Sequence, residues 1–449
     1  MKISRRQMLL SAALAAAGLS TWPASGAVRP KLFPAADRFL DELERAATLY
    51  FWEAADPTTG LVKDRSLADG PDAREIGSIA ATGFGLTGLC IAGKRGYLDR
   101  REVLRRIAHT LRYLWEQFPQ ERGFFYHFIN VRTGERLWKC ELSSIDTALL
   151  LCGVLTCRQY AGDREIRRLA TQIYQRVDWP WMLNGGDTFS HGWHPETGFI
   201  QNRWNEYCEL MMIYLLAIGS PTHPVAASSW EAWTRPWFEY EGLRYINPKA
   251  PLFIHQYSQA WFDFRGRRDR HADYFDNSVL ATRGHLRFCL DLRSRFPHFS
   301  QELWGITASD SANGYLAWGG PPEQGPLDGT IVPCAAGGSL PFLPDECLRA
   351  LRTMRERFGE RVWKRYGLVD AFNPAANWFN PDVIGIDVGI TLLMAENARS
   401  GFVWETFMKN DETRRAMSRV GLAVQNLATA KPLAPASDNL SRRRGLRGS

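Results

Sequence analysis

The chain has 449 residues, 45% of them hydrophobic and 23% charged, and carries a formal net charge of +7. That balance supplies a large core and excludes a disordered or collagen-like chain. The positive charge sits at the ends, with Lys2, Arg5 and Arg6 at the start and Lys431, Arg442, Arg443, Arg444 and Arg447 against Asp438 after residue 430, so the neutral stretch between them offers no basic face for nucleic acid.

The first residues, MKISRRQMLLSAALAAAGLSTWPASGA, combine a basic start, a short Ala-rich apolar run and small residues at Ser25 and Ala27, the pattern of a cleaved secretion signal over 1–27. Arg5 and Arg6 after Ser4, followed by Gln7, Met8 and Leu9, resemble the twin-arginine type, which carries folded proteins to the periplasm. After signal removal no membrane-spanning segment is expected. Residues 28–430 read as one domain and 431–449 as a disordered basic tail. Cys90, Cys152, Cys157, Cys208 and Cys289 lie inside apolar runs and read as buried thiols rather than disulfides. His191 and His194 lack a third ligand nearby, so neither a metal nor a cofactor is expected, and nothing in the pattern calls for more than a monomer.

Taken in chain order, residues 39–51 repeat Leu40, Leu43, Ala47 and Tyr50 at helical spacing, and residues 99–117 repeat Leu104, Ile107, Leu111 and Leu114. These are helices with one wet face. The runs 78–92, 143–157, 206–218, 275–291 and 384–398 are apolar nearly all round and must be surrounded by protein. Gly83, Gly85 and Gly88 fit close approach of backbones there. Residues 124–140 allow a small β-hairpin turning at Thr133 and Gly134. Alternating buried and half-buried helices predict an all-α fold, an (α/α)6 toroid with long aromatic-rich loops, in which the N-termini of the inner helices share one mouth.

Three of the apolar runs have carboxylates at or near their heads: Glu141 and Asp146, Glu206 and Glu209, and Asp387. An acid there needs a reason, and hydrolysis of a glycosidic bond needs two carboxyl groups of opposite duty across a cleft. Glu209, beside Trp204 and Tyr207, suits a general acid whose proton is held by partial burial. Glu206 competes for that role, and either reads equally as an acid favoured by a helix dipole. Asp387, between Gly385 and Gly389, suits a base on an open backbone, or an N-cap. Glu141 and Asp146 around Ser143 and Ser144 line the cleft or initiate a helix. His255, Gln256, Asp263, Arg265, Asp310, Tyr315 and Asp328 add polar groups on loops, although Asp263 and Arg265 also read as a structural pair. Seventeen tryptophans, among them Trp193, Trp204, Trp261, Trp304, Trp318 and Trp378 in connecting segments, supply flat faces for pyranose rings or small cores for the loops.

Six segments, in order, carry a resemblance: GFFYHFINVRTGERLWKCELSSIDTALLL, YCELMMIYLLAIGSPTHP, LFIHQYSQAWFDFRGRRD, WGITASDSANGYLAWGGPP, DGTIVPCAAGGSLPF and DVIGIDVGITLLMAEN. From about residue 36 to 420 the chain resembles the glucoamylase-like domain of bacterial β-1,2-glucanases, also found inside cyclic β-1,2-glucan synthases. The resemblance implies an (α/α)6 barrel and hydrolysis within β-1,2-linked glucan. It favours Glu209, in YCEL, as general acid and Asp387, in IGIDVG, as general base. The family pattern carries Gln after that Asp, where this chain has Val388, which puts the handling of the water in question. The hydrolases resemble inverting enzymes and the synthase version a retaining one. The expectation is a periplasmic glycoside hydrolase cleaving β-1,2-glucan internally. The alternatives are an exo-acting β-glucosidase or other glucan hydrolase on the same barrel, or a non-catalytic glycan-binding protein.

Overall fold

Whether a helix of this chain shows one wet face or none is decided by its sequence, and the two kinds alternate. The computed structural model describes residues 34–249 and 251–422, so the expected secretion signal and basic tail lie outside the described residues. Helices α1 (Pro34–Glu53), α2 (Ile79–Arg95), α3 (Arg100–Glu116), α4 (Ser144–Tyr160), α5 (Arg164–Gln175), α6 (Trp179–Leu183) and α7 (Met211–Gly219) form the first half. The second half holds α8 (Tyr257–Trp261), α9 (Tyr274–Asp291), α10 (Pro333–Gly337), α11 (Pro344–Phe358), α12 (Gly385–Arg399), α13 (Phe402–Phe407) and α14 (Asp411–Arg419).

The apolar helices α2, α4, α7 and α12 are buried along almost their whole length. Side by side they run α7, α4, α2, α12, with α1, α3, α5 and α14 packed outside them. Two of the outer helices start on aspartates: at α3 Asp99 accepts from the N–H groups of Arg101 and Glu102, and at α5 Asp163 from those of Glu165 and Ile166. Between α2 and α4 the backbones touch. A Cβ on Gly153 would stand 2.1 Å from the Gly83 carbonyl oxygen, and one on Gly83 would stand 2.3 Å from that of Leu149. Arg158 of α4, 7% exposed at its side chain, reaches Asn410 at 2.9 Å and Glu412 at 2.6 Å, tying the first half to α14.

Three differences from the sequence pattern have physical causes. The run at 206–218 becomes helical only at Met211, because Tyr207 N–H donates to Thr234 O and Thr234 N–H to Asn205 O, both at 2.8 Å, and hold the segment out of the helix. Helix α9 is not buried all round: Asp276, Arg283 and Arg287 face solvent, and its inner face is polar, with Asn277, Ser278, Thr282 and His285 buried. The hairpin expected at 124–140 turns where expected, with Ile129 bridging Arg136 antiparallel and Asn130 N–H donating to Glu135 O at 2.8 Å, but it joins a larger set of short strands. Phe124–Tyr126 lies in a five-stranded sheet with Leu142–Ser143 and Gly192–His194, while Phe128–Asn130 pairs with Ile76–Ser78.

These strands position the site. Ile76–Ser78 runs into α2, Leu142–Ser143 into α4, and Asp382–Ile384 into α12. The last pairs antiparallel with Arg65–Leu67, so the entry ends of the inner helices are stitched by ladders rather than left as loops. All eight cysteines are free, with the Cys90 and Cys157 sulfurs 3.6 Å apart between α2 and α4.

Candidate active site

Glu209 sits in the turn before α7. Ser258 of α8 fixes that turn twice, donating from its hydroxyl to the Glu209 carbonyl at 2.6 Å and accepting from the Met212 N–H at 3.1 Å, a helix-end group with no partner inside its own helix. The residue keeps some open surface, but its carboxyl is enclosed by protein. Burial pushes it up to about 7, and the charge of Asp146 adds to that, against hydrogen bonds from its own backbone and from Cys208. It therefore carries its proton over much of the neutral range.

At the head of α4, Ser143 caps the helix by accepting from the Asp146 N–H at 3.2 Å and donates to Asp146 Oδ2 at 2.5 Å. His127 stands between two acids, its Nδ1 3.0 Å from Glu141 Oε1 and its Nε2 3.7 Å from Asp146 Oδ2. Burial works against charge on this ring, yet Asp146, Glu141 and Asp64 outweigh it and raise the pKa to about 9. Ligand atoms of His127, Glu141 and Asp146 all lie within 4.8 Å of one another, a grouping with metal-site dimensions. The protonated ring sets one positive charge between the two acids.

Asp387 is the third residue of α12, whose N-cap is Ile384, so Asp387 is not the cap. The flanking glycines do not open the backbone either. A Cβ on Gly389 would meet the Phe84 ring at 2.4 Å and one on Gly385 would meet Ala81 at 2.8 Å, so both serve close packing against α2. Burial pushes Asp387 up to about 6; hydrogen bonds with Asp370 and Cys334 pull it down, and the charges of Asp310 and Asp64 push it up. Arg65 holds Asp310 with 2.8 and 3.1 Å contacts, and Asn380 donates to Asp310 at 3.0 Å and Asp370 at 3.3 Å. The Tyr257 hydroxyl feels the charges of both Asp387 and Glu209, and so links the two carboxyl groups.

The structure divides the remaining candidates. Trp204 is half-buried, donates from Nε1 to Ser144 at 2.8 Å and stacks on His191 at 4.0 Å. Tyr315 is 49% exposed, and its hydroxyl feels Asp387. Glu206 is exposed and its backbone bridges to Thr234. Several expected sugar contacts are instead structural. Trp261 is fully buried and donates to Thr87 at 3.0 Å, and Trp318 is 1% exposed. Neither offers a face to a sugar: Trp261 ends α8 and packs on Phe84 of α2 at 4.9 Å, and Trp318 is enclosed as a core for its loop. Tyr207 and His255 are buried together at 3.1 Å, with His255 pushed down by burial to about 3. Gln256 donates to Ala335 O and Ser339, deep in the interior. Asp263 pairs with Arg265 at 2.7 Å, and that guanidinium lies over Trp404. Asp328 accepts from the Thr330 N–H and shapes a turn. Asp64, His127, Tyr257, Cys334 and Asp370 belong to the site although sequence reasoning passed them by. Asp370, in GLVDAF, shows the same signal as Glu209, an acid within an apolar run.

Residues 201–411 match a family model described as "Putative glucoamylase". This stretch is similar to that family. The chain is 27% identical over 439 residues to the exo-β-1,2-glucooligosaccharide sophorohydrolase (non-reducing end) of Parabacteroides distasonis, covering 88% of this chain and 60% of that relative's length. Among solved structures, the endo-β-1,2-glucanase of Chitinophaga pinensis in complex with sophorotriose and glucose superposes with a TM-score of 0.81 at 26% identity, over 86% of this chain and 98% of the other. The β-1,2-glucanase of Parabacteroides distasonis, at 24% identity and a TM-score of 0.80 over 86% of this chain and 60% of that one, shares the fold. Five of the six sequence segments that carry the resemblance lie within residues 201–411, and the relatives compared are named as β-1,2-glucan hydrolases.

Proposed function

We propose that the chain is a glycoside hydrolase acting on β-1,2-linked glucan, with Glu209 protonating the leaving oxygen and Asp387 activating water. The observation that carries this is a pair of enclosed carboxyl groups, both pushed up by burial, Glu209 to about 7 and Asp387 to about 6, with the Tyr257 hydroxyl in the electrostatic field of each. The relatives named as β-1,2-glucan hydrolases supply the linkage. The imidazolium of His127 with Glu141 and Asp146 provides charged donors and acceptors for sugar hydroxyls beside the acid, and exposed Tyr315 provides a ring face beside the base. The inner succession α7, α4, α2, α12 supports closure as an (α/α)6 toroid. The proposed outcome is inversion, and the proposed location is the periplasm, reached through the twin-arginine motif at Arg5 and Arg6.

Internal cleavage is the first reading, supported by the likeness to the Chitinophaga pinensis endo-enzyme, of which nearly the whole chain is covered. The Parabacteroides distasonis relative favours a second, release of a disaccharide from the non-reducing end. Incubating the purified protein with linear β-1,2-glucan and resolving products by size over time separates them. Early oligosaccharides of mixed length are expected. A single disaccharide from the first time point selects the second reading, and an unchanged polymer rejects hydrolysis of this linkage.

A further inference from the structure

Asp370 and Asp387 present more acceptor oxygens than their surroundings have donors. Asp370 is 4% exposed and Asp387 6%, and the two carboxyl groups are within hydrogen-bond reach of each other. Asp370 Oδ2 accepts from the Asp310 N–H at 2.9 Å and from Asn380 at 3.3 Å. Its Oδ1 has no donor, and neither does Asp387 Oδ2. A cavity of about 20 Å³ beside the pair is lined mostly by apolar side chains such as Leu43, Leu368, Val369 and Val388, with Cys334, Tyr366 and Thr391 as its other polar groups. Two ionised carboxylates here would leave both orphan oxygens buried in mutual repulsion. A single shared proton turns one oxygen into a donor and the other into its acceptor, and satisfies both.

The surroundings decide which acid keeps that proton. Asp387 lies in the first turn of α12, where the helix end favours negative charge, and the Cys334 thiol donates to it. Asp370 has no helix end to favour its charge. It is fully enclosed, and beside it lies Asp310, kept in place by Arg65. The other titratable groups facing Asp387 are Asp64, Tyr257 and Tyr315, with Arg65 paired to Asp64 as well as to Asp310.

We propose that Asp370 is the positioning residue of the base: it keeps the proton, donates it as a hydrogen bond to Asp387, and so holds Asp387 ionised and in one rotamer for attack on water. The proton stays on Asp370 throughout. This rests on Asp387 being the general base, and the test separates the two.

Carboxyl-carbon NMR on protein labelled at aspartate, with the Asp387 resonance assigned by its loss in Asp387→Asn, follows the titration of Asp387 without any substrate. In Asp370→Ala the lost donor should move that titration to higher pH by about one unit. In Asp370→Asn, whose amide still donates, it should stay near the wild-type position. The acid limb of kcat/KM on β-1,2-glucan should shift in the same direction by the same amount. A titration that moves to lower pH in either variant means that Asp370 had been ionised, and overturns the proposal, as does no movement in Asp370→Ala. If Asp370→Ala does not fold, Asp370→Asn still decides, because removing a negative charge lowers the Asp387 titration whereas replacing a donor by a donor does not. If the wild-type protein turns over no glucan, the proposed function fails while the NMR titration still tests the shared proton.

Discussion

Glu209 and Asp387 both begin from burial, which raises any carboxyl, and differ in what opposes it. Glu209 has its own backbone and Cys208 as donors and Asp146 as a like charge; Asp387 has donors from Asp370 and Cys334. The proposed mechanism needs Asp387 ionised and Glu209 protonated, so kcat/KM should fall below about 6, where Asp387 gains a proton, and above about 7, where Glu209 loses its own. Glu209→Gln should lower kcat by roughly 10²-fold or more and abolish the alkaline limb. Its melting temperature should not fall, because a neutral amide replaces a group that burial penalises when charged. A variant that keeps wild-type kcat would remove Glu209 from the mechanism. Glu209 and Asp387 stood out in the sequence as acids at the heads of apolar runs, but such acids read equally as helix-dipole or capping groups, and the family resemblance singled them out. His127, between the aromatic Tyr126 and Phe128, and Asp64, in a polar segment, did not stand out, because each acquires meaning only from partners brought to it in space. Trp261 and Trp318 misled for the reverse reason, since a tryptophan in a connecting segment looks available until the fold closes over it.

At the level of elements, the periodicity of the inner helices was readable because their burial leaves no polar stripe, and the glycines of α2 foretold a close approach without saying to what. The partner is Gly153 of α4, whose missing Cβ admits the Gly83 carbonyl. Gly153→Ala should destabilise the fold by about 1–3 kcal/mol, since the obstacle is backbone and cannot swing aside. Thermal unfolding measures this, and an unchanged melting temperature would mean that the two helices separate without penalty. The short strands escaped the pattern because segments of two or three residues carry too little alternation to register. Their pairing is set by where the helices deliver them. The late start of α7 was hidden likewise, since Thr234, which holds Tyr207 out of the helix, is remote in sequence.

Across the whole molecule, distant parts of the chain are locked by buried polar groups. Arg158→Ala leaves Glu412, whose side chain is 13% exposed, without its guanidinium and should cost about 3–5 kcal/mol in urea unfolding. A loss below 1 kcal/mol would show that water replaces the arginine freely. The ladder of Arg65–Leu67 with Asp382–Ile384 has another consequence. A ribosome releases the acid long before the base, and the segment carrying Asp387 cannot pair until a partner made more than 300 residues earlier has waited for it. A chain arrested before α12 would hold the proposed acid without the proposed base. Under the proposed mechanism, turnover is a report that synthesis has run almost to the end of the described fold, and hydrolysis waits until the first and last inner helices have met.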